Sequence, residues 1–212
     1  MTDFDRRRWQ MVERQVAARG VRDPHVLAAM QAVPREAFVA ADLRHAAYDD
    51  SPLPIEAGQT ISQPYIVALM IEAAGVKPGD QVLEVGAGSG YAAAVMGRIA
   101  RRVVAIERHG ELARPAADRM ARLGYHNVRV IEGDGTRGHA DEAPYDAILV
   151  AATGRAVPPA LIDQLAEGGV LVMPVGEPDE VQTLLRLRRD GERFVESDLG
   201  AVRFVPLVTE AA

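Results

Sequence analysis

The chain has 212 residues, of which 48% are hydrophobic, 25% charged and 5% aromatic, as expected for an ordinary globular protein. Its formal net charge of −6 argues against a nucleic-acid partner, because such a partner requires a sustained positive surface. Cysteine is absent, which excludes disulfides, thiolate nucleophiles and thiolate metal sites. The sequence begins with polar residues and has no run near the ~18 apolar residues of a membrane-spanning helix. We therefore expect a soluble, cytoplasmic protein that does not contact membranes.

The first fifty residues predict helices. Apolar residues recur at helical spacing before Gly20, which stands where a left-handed residue typically ends a helix. A second helix is predicted with Asp23 as its N-cap and Pro24 as its first residue, and it should end before Pro34. Residues 51–60 contain prolines and a glycine and predict an irregular connection.

Beyond a further helix predicted from Ser62 to Gly75, strands and helices alternate regularly. Such alternation favours a parallel sheet with right-handed crossovers and helices on both faces, and plentiful aliphatic residues suit buried parallel strands. The predicted strands are 81–85, 102–106, 128–132, 145–151 and 170–175, and the predicted helices are 91–100, 112–123 and 158–166.

After Gly176 the pattern changes to antiparallel strands. They are predicted over 181–188, around Phe194-Val195, and over 202–208. The expected fold class is therefore α/β, with a mostly parallel, doubly wound sheet, a helical N-terminal extension and antiparallel C-terminal strands. We expect one domain over 1–212, made of a helical part (1–75), a nucleotide-binding βαβ core (76–175) and the closing strands (176–212).

The strongest local motif is the glycine-rich turn Gly86-Ala87-Gly88-Ser89-Gly90 between an apolar strand and a helix. Glycine allows a tight turn and close approach of a ligand to free N–H groups at the helix start. A dinucleotide site remains an alternative, although its usual spacing is G-x-G-x-x-G. Glu84 precedes the first glycine, and its carboxylate would repel a pyrophosphate but attract a cationic cofactor.

Two more acidic residues end successive predicted strands. Glu107 is placed to accept ribose hydroxyls, and Asp134, followed by Gly135, is placed near an adenine amino group, because ligands of open α/β sheets bind at the carboxyl ends of strands. Glu107 or Asp134 alone is equally well explained as a cap of the following helix, and Glu84 also fits a buried carboxylate that is bonded to N–H groups of the glycine turn. Together with the glycine turn, the three acids indicate a nucleoside site.

Several segments resemble the protein-L-isoaspartate (D-aspartate) O-methyltransferase family over nearly the whole chain. The most specific is Gly58-Gln59-Thr60-Ile61-Ser62-Gln63-Pro64-Tyr65. Similar too are 33–39 (VPREAFV), Asp134-Gly135, 143–148 (APYDAI) and 202–207 (VRFVPL). The resemblance implies a Rossmann-like class I methyltransferase that uses S-adenosylmethionine, releases S-adenosylhomocysteine and needs no metal.

The resemblance also implies roles for individual residues. Ser62 is expected at the reaction centre, and Ser62, Gln63, Pro64 and Tyr65 are expected to approach cofactor and substrate. The other expected cofactor contacts are Glu84, Val85, Gly86 and Gly88 at the methionine end, Glu107 on the ribose, and Asp134 with Gly135 on the adenine. The substrate contacts are Ser62, Arg203 and Val205, the last two by strand-type pairing with the peptide.

The implied chemistry needs few catalytic groups. An isoaspartyl carboxylate is already ionised at neutral pH, so no general base is required, and what remains is alignment and removal of water. We predict that Ser62 holds the carboxylate and is not a nucleophile. Spacing alone, however, favours Ser62 as a plain helix N-cap. A serine hydrolase is not supported, because Gly88-Ser89-Gly90 lacks the G-x-S-x-G spacing.

Two positions depart from the family pattern: His139, where an aromatic residue is common, and Thr153-Gly154-Arg155, where small residues and a proline are common. The first should affect packing, and Arg155 should affect substrate preference or be a solvated loop residue. The five histidines have no metal-ligand spacing.

Other functions stay open at this stage. They are methylation of a normal aspartate in one dedicated peptide, methylation of a small molecule or RNA, and non-catalytic binding of a nucleoside or protein. The sequence carries no added recognition segment after Val208, so we expect general repair of damaged proteins. We also expect a monomer.

Overall fold

The computed structural model describes residues 2–208. The helices are α1 (Asp3–Met11), α2 (Pro24–Ala32), α3 (Pro64–Ala74), α4 (Tyr91–Gly97), α5 (Gly110–Arg122) and α6 (Pro159–Asp163). The strands are β1 (Leu53–Pro54), β2 (Thr60–Ile61), β3 (Gln81–Val85), β4 (Arg102–Glu107), β5 (Val128–Glu132), β6 (Tyr145–Val150), β7 (Leu165–Val175), β8 (Gln182–Asp190) and β9 (Arg193–Val202). Within these residues, no helix is both long and apolar enough to cross a membrane.

Seven strands form the central sheet in the order β5-β4-β3-β6-β7-β8-β9. The first five are parallel, and β8 and β9 are added antiparallel at one edge. The strand order therefore reverses between β3 and β6, and a cleft for a ligand is expected beyond the carboxyl ends of these two strands. The predicted class, an α/β sheet with antiparallel closing strands, is confirmed.

Side chains of alternate strand residues fill two hydrophobic cores, one on each face of the sheet. Val82, Val103 and Leu149 pack beneath α1–α4, whereas Leu83, Val104 and Ile148 belong to the core that includes α6. Period-two alternation places neighbouring residues on opposite faces, and both faces are apolar because helices cover both.

The N-terminal extension is helical, as predicted. Thr2 and Asp5 form a capping box that starts α1 earlier than the apolar pattern indicates. The chain continues as a π turn and a 3₁₀ turn to Gly20, whose φ of 107° ends the helix. Asp23 caps α2, and Pro24 is its first residue.

Several sequence-based boundaries are wrong; for example, the helix predicted over 158–166 ends at Asp163, and the strand predicted over 170–175 begins at Leu165. The third helix begins at Pro64 and not at Ser62. The predicted strand 202–208 is not formed: β9 ends at Val202, and the following residues are irregular apart from a single parallel bridge between Thr153 and Pro206. The alternating apolar residues there serve to anchor the segment to Thr153, which donates to the Val205 carbonyl and accepts from the Leu207 N–H, both at 2.8 Å.

Candidate active site

A cavity lies at the carboxyl ends of β3, β4 and β6, at the reversal of strand order. Its volume is about 990 Å³, including the part that is open to solvent. Eight residues singled out from the sequence line it: Ser62, Glu84, Val85, Gly86, Gly88, Glu107, Gly135 and Val205. The sequence therefore located the cavity, although residues 59–62 and 204–208 also supply walls that local patterns do not reveal.

The glycine turn forms one side of this cavity. Gly86, Gly88 and Gly90 all have positive φ, of 86°, 53° and 84°, a backbone region that other residues rarely adopt. The N–H groups of Gly86 and Ala87 donate to the Ile106 carbonyl at 2.8 and 3.0 Å. The turn is thus fixed to β4 and leads directly into α4.

Glu84 is a buried carboxylate with an unsatisfied oxygen. Only 1% of its surface is exposed, and its Oε2 has no hydrogen-bond partner among the described residues. Burial first, and then repulsion from Glu107, hold the pKa of Glu84 well above its usual range. An unpartnered carboxylate oxygen at a cavity wall fits a cationic ligand group, such as the ammonium or sulfonium of S-adenosylmethionine, which would satisfy it.

Glu107, in contrast to Glu84, has both carboxylate oxygens hydrogen-bonded to backbone N–H groups. Its Oε2 accepts from the Gly88 N–H at 2.7 Å, and its Oε1 accepts from the His109 N–H at 2.9 Å. The sequence also allowed Glu84 to be the carboxylate that is bonded to the glycine turn. In the structure, Glu107 makes that bond. Each of its oxygens has a second acceptor position, so the oriented carboxylate can also receive ribose hydroxyls.

Asp134 and Gly135 have different roles in the structure. The Asp134 Oδ1 accepts from Thr136 N and Oγ1 at 2.9 and 2.7 Å and so starts a 3₁₀ turn. Gly135 itself lines the cavity. A Cβ at this glycine would lie 2.3 Å from Val85 Cγ1, so only glycine lets the two strand ends pack this closely.

Ser62 is not a helix cap. The N-cap of α3 is Gln63, without a side-chain hydrogen bond, and α3 begins at Pro64. Ser62 is half-buried and lines both the cavity and an adjoining groove. Its carbonyl accepts from Arg35 Nη2 at 2.8 Å. The capping interpretation, which spacing favours, is therefore wrong.

The residues after Ser62 lie outside the cavity lining. Gln63 borders the groove, Pro64 is buried in the first turn of α3, and Tyr65 packs against Arg19, whose guanidinium carbon is 3.5 Å from the ring centroid. The Tyr65 N–H donates to Asp50 Oδ1 at 3.2 Å.

The groove is open to the protein surface and has a volume of about 1560 Å³, including solvent. It shares a wall with the cavity, formed by Thr60, Ser62, Ala151, Phe204, Val205 and Pro206. Arg203 borders its outer part together with Asp179 and Glu180. The Val205 carbonyl accepts from the Thr153 N–H at 2.8 Å, which fixes the backbone of Val205 at the wall shared by the cavity and the groove.

The two positions that depart from the family pattern have local partners. The main chain of His139 bonds to Gln164 and Tyr145, in line with a packing role. Arg155 forms an exposed ion pair with Glu177 at 3.0 Å and belongs to the lining of neither the cavity nor the groove.

This fold and this site, a glycine turn between two strand-end carboxylates at the sheet's reversal point, define a class I methyltransferase that uses S-adenosylmethionine. A sequence profile of the protein-L-isoaspartate(D-aspartate) O-methyltransferase family matches residues 6–212. The chain belongs to that family.

Individual relatives agree with this assignment. The chain is 59% identical over 209 residues to the protein-L-isoaspartate O-methyltransferase of Methylorubrum populi, covering 98% of this chain and 97% of the relative. A solved protein-L-isoaspartate O-methyltransferase is similar with a TM-score of 0.85 at 30% identity, over 95% of this chain and 65% of its own. A Plasmodium falciparum protein described as a β-aspartate methyltransferase, in complex with S-adenosyl-L-homocysteine, has a TM-score of 0.81 at 28% identity, over 95% and 98% of the two chains.

Proposed function

We propose that this chain transfers the methyl group of S-adenosylmethionine to the free carboxylate of L-isoaspartyl residues in damaged proteins and peptides. The observation that carries the proposal is the position of Ser62, on the wall shared by a nucleoside-sized cavity and an open groove. Family membership supports the same reaction. The ester product then closes to a succinimide without enzymatic help, and hydrolysis returns some normal aspartate.

The proposed cofactor contacts follow the order of the strands. Glu84, with Val85, Gly86 and Gly88, holds the methionine end, and its unpartnered oxygen supports an ionic contact with the ammonium. Glu107 accepts the ribose hydroxyls while the Gly88 N–H fixes it. The adenine lies against the backbone of Gly135, and Asp134 shapes that turn from behind.

The acceptor carboxylate needs orientation more than activation. When bound, S-adenosylmethionine supplies a methyl group on a positively charged sulfur, a good leaving group. The Ser62 hydroxyl donates one hydrogen bond to the carboxylate and takes no proton. The apolar side chains of Ile61, Val67 and Phe204 in the cavity wall exclude water from the ionised oxygen. A carbon–oxygen bond forms as the carbon–sulfur bond breaks, and no base or metal is used.

The groove is proposed to bind the substrate peptide. An extended chain would meet the main chain of Val205, which its bond to Thr153 holds in place, and the exposed Arg203 would lie beside it. Gln63, Pro64 and Tyr65 support this region by starting α3. An opening of this kind suits a flexible polypeptide better than a small molecule that is enclosed on all sides.

We further propose that the chain acts as a cytoplasmic monomer with a single domain, on damaged polypeptides and without nucleic-acid or membrane partners. One buried cluster that joins Val16, Val67, Val95 and Leu184 supports a single domain over the described residues. Sedimentation at increasing protein concentration tests the monomer, and a constant molar mass is expected.

The proposed substrate is tested with three synthetic peptides that differ only at one position: L-isoaspartate, L-aspartate and D-aspartate. With a labelled methyl donor, the isoaspartyl peptide should be methylated with a far higher kcat/KM than the L-aspartyl peptide. Methylation of the L-aspartyl peptide alone would favour the alternative, a maturation enzyme with one dedicated substrate. The D-aspartyl peptide shows whether the groove accepts that isomer as well.

A further inference from the structure

Arg35 is a fully buried arginine within the motif Val33–Val39, to which neither the cofactor site nor the groove assigns a role. Its Nε donates to the Ala47 carbonyl and its Nη2 to the Ser62 carbonyl, both at 2.8 Å. Its exposed fraction is 0%. Charged donors make stronger and more directional bonds than neutral ones, so Arg35 ties the backbone of Ser62 to the helical extension.

The guanidinium of Arg35 begins a stack of four side chains. Its central carbon lies 4.7 Å from the centroid of the Tyr91 ring. Tyr91 meets Phe38 edge to face, with centroids 5.5 Å apart, and the guanidinium of Arg119 lies 5.6 Å from the Phe38 centroid. At the far end, Arg119 Nη1 donates to the Ser89 carbonyl at 2.7 Å.

The stack therefore joins the carbonyls of two residues that line the cavity. Ser62 lies on the wall shared with the groove, and Ser89 lies in the glycine turn. Tyr91 is the first residue of α4 and lines the cavity as well. The distance between Ser62 and the glycine turn is thus spanned by side chains in direct contact.

Stability alone does not account for the fully buried Arg35 and the half-buried Arg119. Burial lowers the pKa of both Arg35 and Arg119, and within residues 2–208 neither pairs with a carboxylate. Arg35 Nη1 and Arg119 Nε have no hydrogen-bond partner there. Apolar side chains in such places are often at least as stable, so the advantage of arginine lies in the geometry that it imposes.

We propose that the stack Arg35–Tyr91–Phe38–Arg119 is a positioning device, in which Arg35 fixes Ser62 for methyl transfer and Arg119 fixes the glycine turn for cofactor binding. The proposal rests on the role proposed above for Ser62, which donates a hydrogen bond to the acceptor carboxylate. The proposal assigns a different effect to each arginine: Arg35 governs turnover, and Arg119 governs affinity for the nucleoside.

The test compares Arg35→Lys with Arg119→Lys, because lysine keeps the charge but cannot reproduce the planar fork. For Arg35→Lys we expect kcat on an isoaspartyl peptide to fall about 10- to 100-fold, as for a displaced reacting group, while the Kd of S-adenosylhomocysteine changes by less than about threefold. For Arg119→Lys the Kd should rise more than kcat falls. Equal loss of kcat and affinity in Arg35→Lys overturns the proposal.

Arg186→Lys is the matched control. Arg186 is a partly buried arginine whose Nε donates at 2.8 Å to the Ala73 carbonyl, at the opposite end of α3 from Ser62. This variant should keep both kcat and affinity. If it lowers kcat as much as Arg35→Lys does, the effect comes from loosening α3, and the positioning role is rejected.

A double-mutant cycle with Ser62→Ala separates positioning from folding. If Arg35 acts through Ser62, Arg35→Lys should lower kcat by less than about threefold once the hydroxyl is gone, whereas independent effects multiply. Should Arg35→Lys fail to bind S-adenosylhomocysteine at all, Phe38→Leu loosens the same stack without removing a charge, and an unchanged kcat in that variant rejects the proposal. Absence of turnover in the wild-type protein contradicts the proposed function itself.

Discussion

At the scale of single residues, Ser62 shows why the same serine can be interpreted either as a helix cap or as a residue of the active site. A serine before an apolar helical pattern is typical of an N-cap, yet here the helix begins two residues later at Pro64. Gln63 stands between them as the N-cap residue, and Ser62 lines the cavity and the groove. Only the backbone path, which local spacing does not specify, distinguishes a helix cap from a residue that binds the substrate carboxylate.

Replacing Ser62 should therefore affect turnover and leave the cofactor bound. A hydrogen bond to a charged group contributes about 1.5–3 kcal/mol, so Ser62→Ala should lower kcat about 10- to 100-fold. Calorimetry with S-adenosylhomocysteine should give a Kd close to that of the wild type. Ser51→Ala, in the same connecting segment, is the control and should leave both values unchanged. A parallel loss of affinity would assign the serine to the nucleoside pocket.

Gly135 is a second residue to consider, because there is no room for a side chain at this position. Gly135→Ala puts a Cβ 2.3 Å from Val85 Cγ1, and overpacking of this kind costs about 1–3 kcal/mol. We expect a lower Tm and weaker binding of S-adenosylhomocysteine. Gly133→Ala is the control, because its Cβ would meet Ile106 only at 3.7 Å. The double variant Gly135→Ala/Val85→Ala should recover part of both losses; no recovery would show that the clash is not the cause.

At the scale of elements, the strands of the core were predictable and their partners were not. Buried parallel strands read as apolar runs, so β3 and β5 have the predicted bounds. The segment 202–208 has a similar apolar alternation but forms only one bridge to β6's continuation at Thr153. Alternation reports which side chains are buried and carries no information on which backbone they meet.

The residue that caps the start of α3 is a further feature that sequence spacing does not reveal. Gln63 makes no side-chain cap, and the N–H of Tyr65 is satisfied instead by Asp50, fifteen residues upstream. Asp50 also pairs with Arg19, whose guanidinium lies against the Tyr65 ring. A cap supplied from another segment has no fixed sequence distance, so the capping rules for neighbouring residues miss it.

Removing this remote cap should destabilise the protein. Loss of an N-cap costs about 1 kcal/mol, which corresponds to about 2–4 °C in Tm for a chain of this size. Asp50→Ala should show that decrease in a thermal melt, and Asp50→Asn, which keeps an acceptor oxygen, a smaller one. The neighbouring Asp49→Ala is the control: its exposed pair with Arg7, at 3.8 Å, contributes little. Equal effects at both positions would argue against the cap.

At the scale of the whole molecule, the cofactor site opposes the stability of the ligand-free protein. Glu84 has a raised pKa in the folded state, so the folded protein binds more protons than the unfolded chain between about pH 4.5, the ordinary value, and the raised pKa. Stability then falls as pH rises through this interval, and the full penalty is present above it. A bound cation reverses the preference, because it favours the ionised carboxylate.

Glu84→Gln should consequently separate stability from function. At neutral pH the ligand-free variant should melt a few degrees above the wild type, at about 2–4 °C for each kcal/mol relieved, since an amide does not carry the penalty that burial imposes on ionisation of the carboxyl group. The wild type should gain Tm with S-adenosylhomocysteine, by about 2.7 kcal/mol of stabilisation at 100 times its Kd, whereas the variant should gain far less. The affinity of the wild type should rise with pH through the raised pKa, and this dependence should disappear in Glu84→Gln. A variant that melts lower without ligand but still binds it normally would show that Glu84 supports the fold and does not hold the cation.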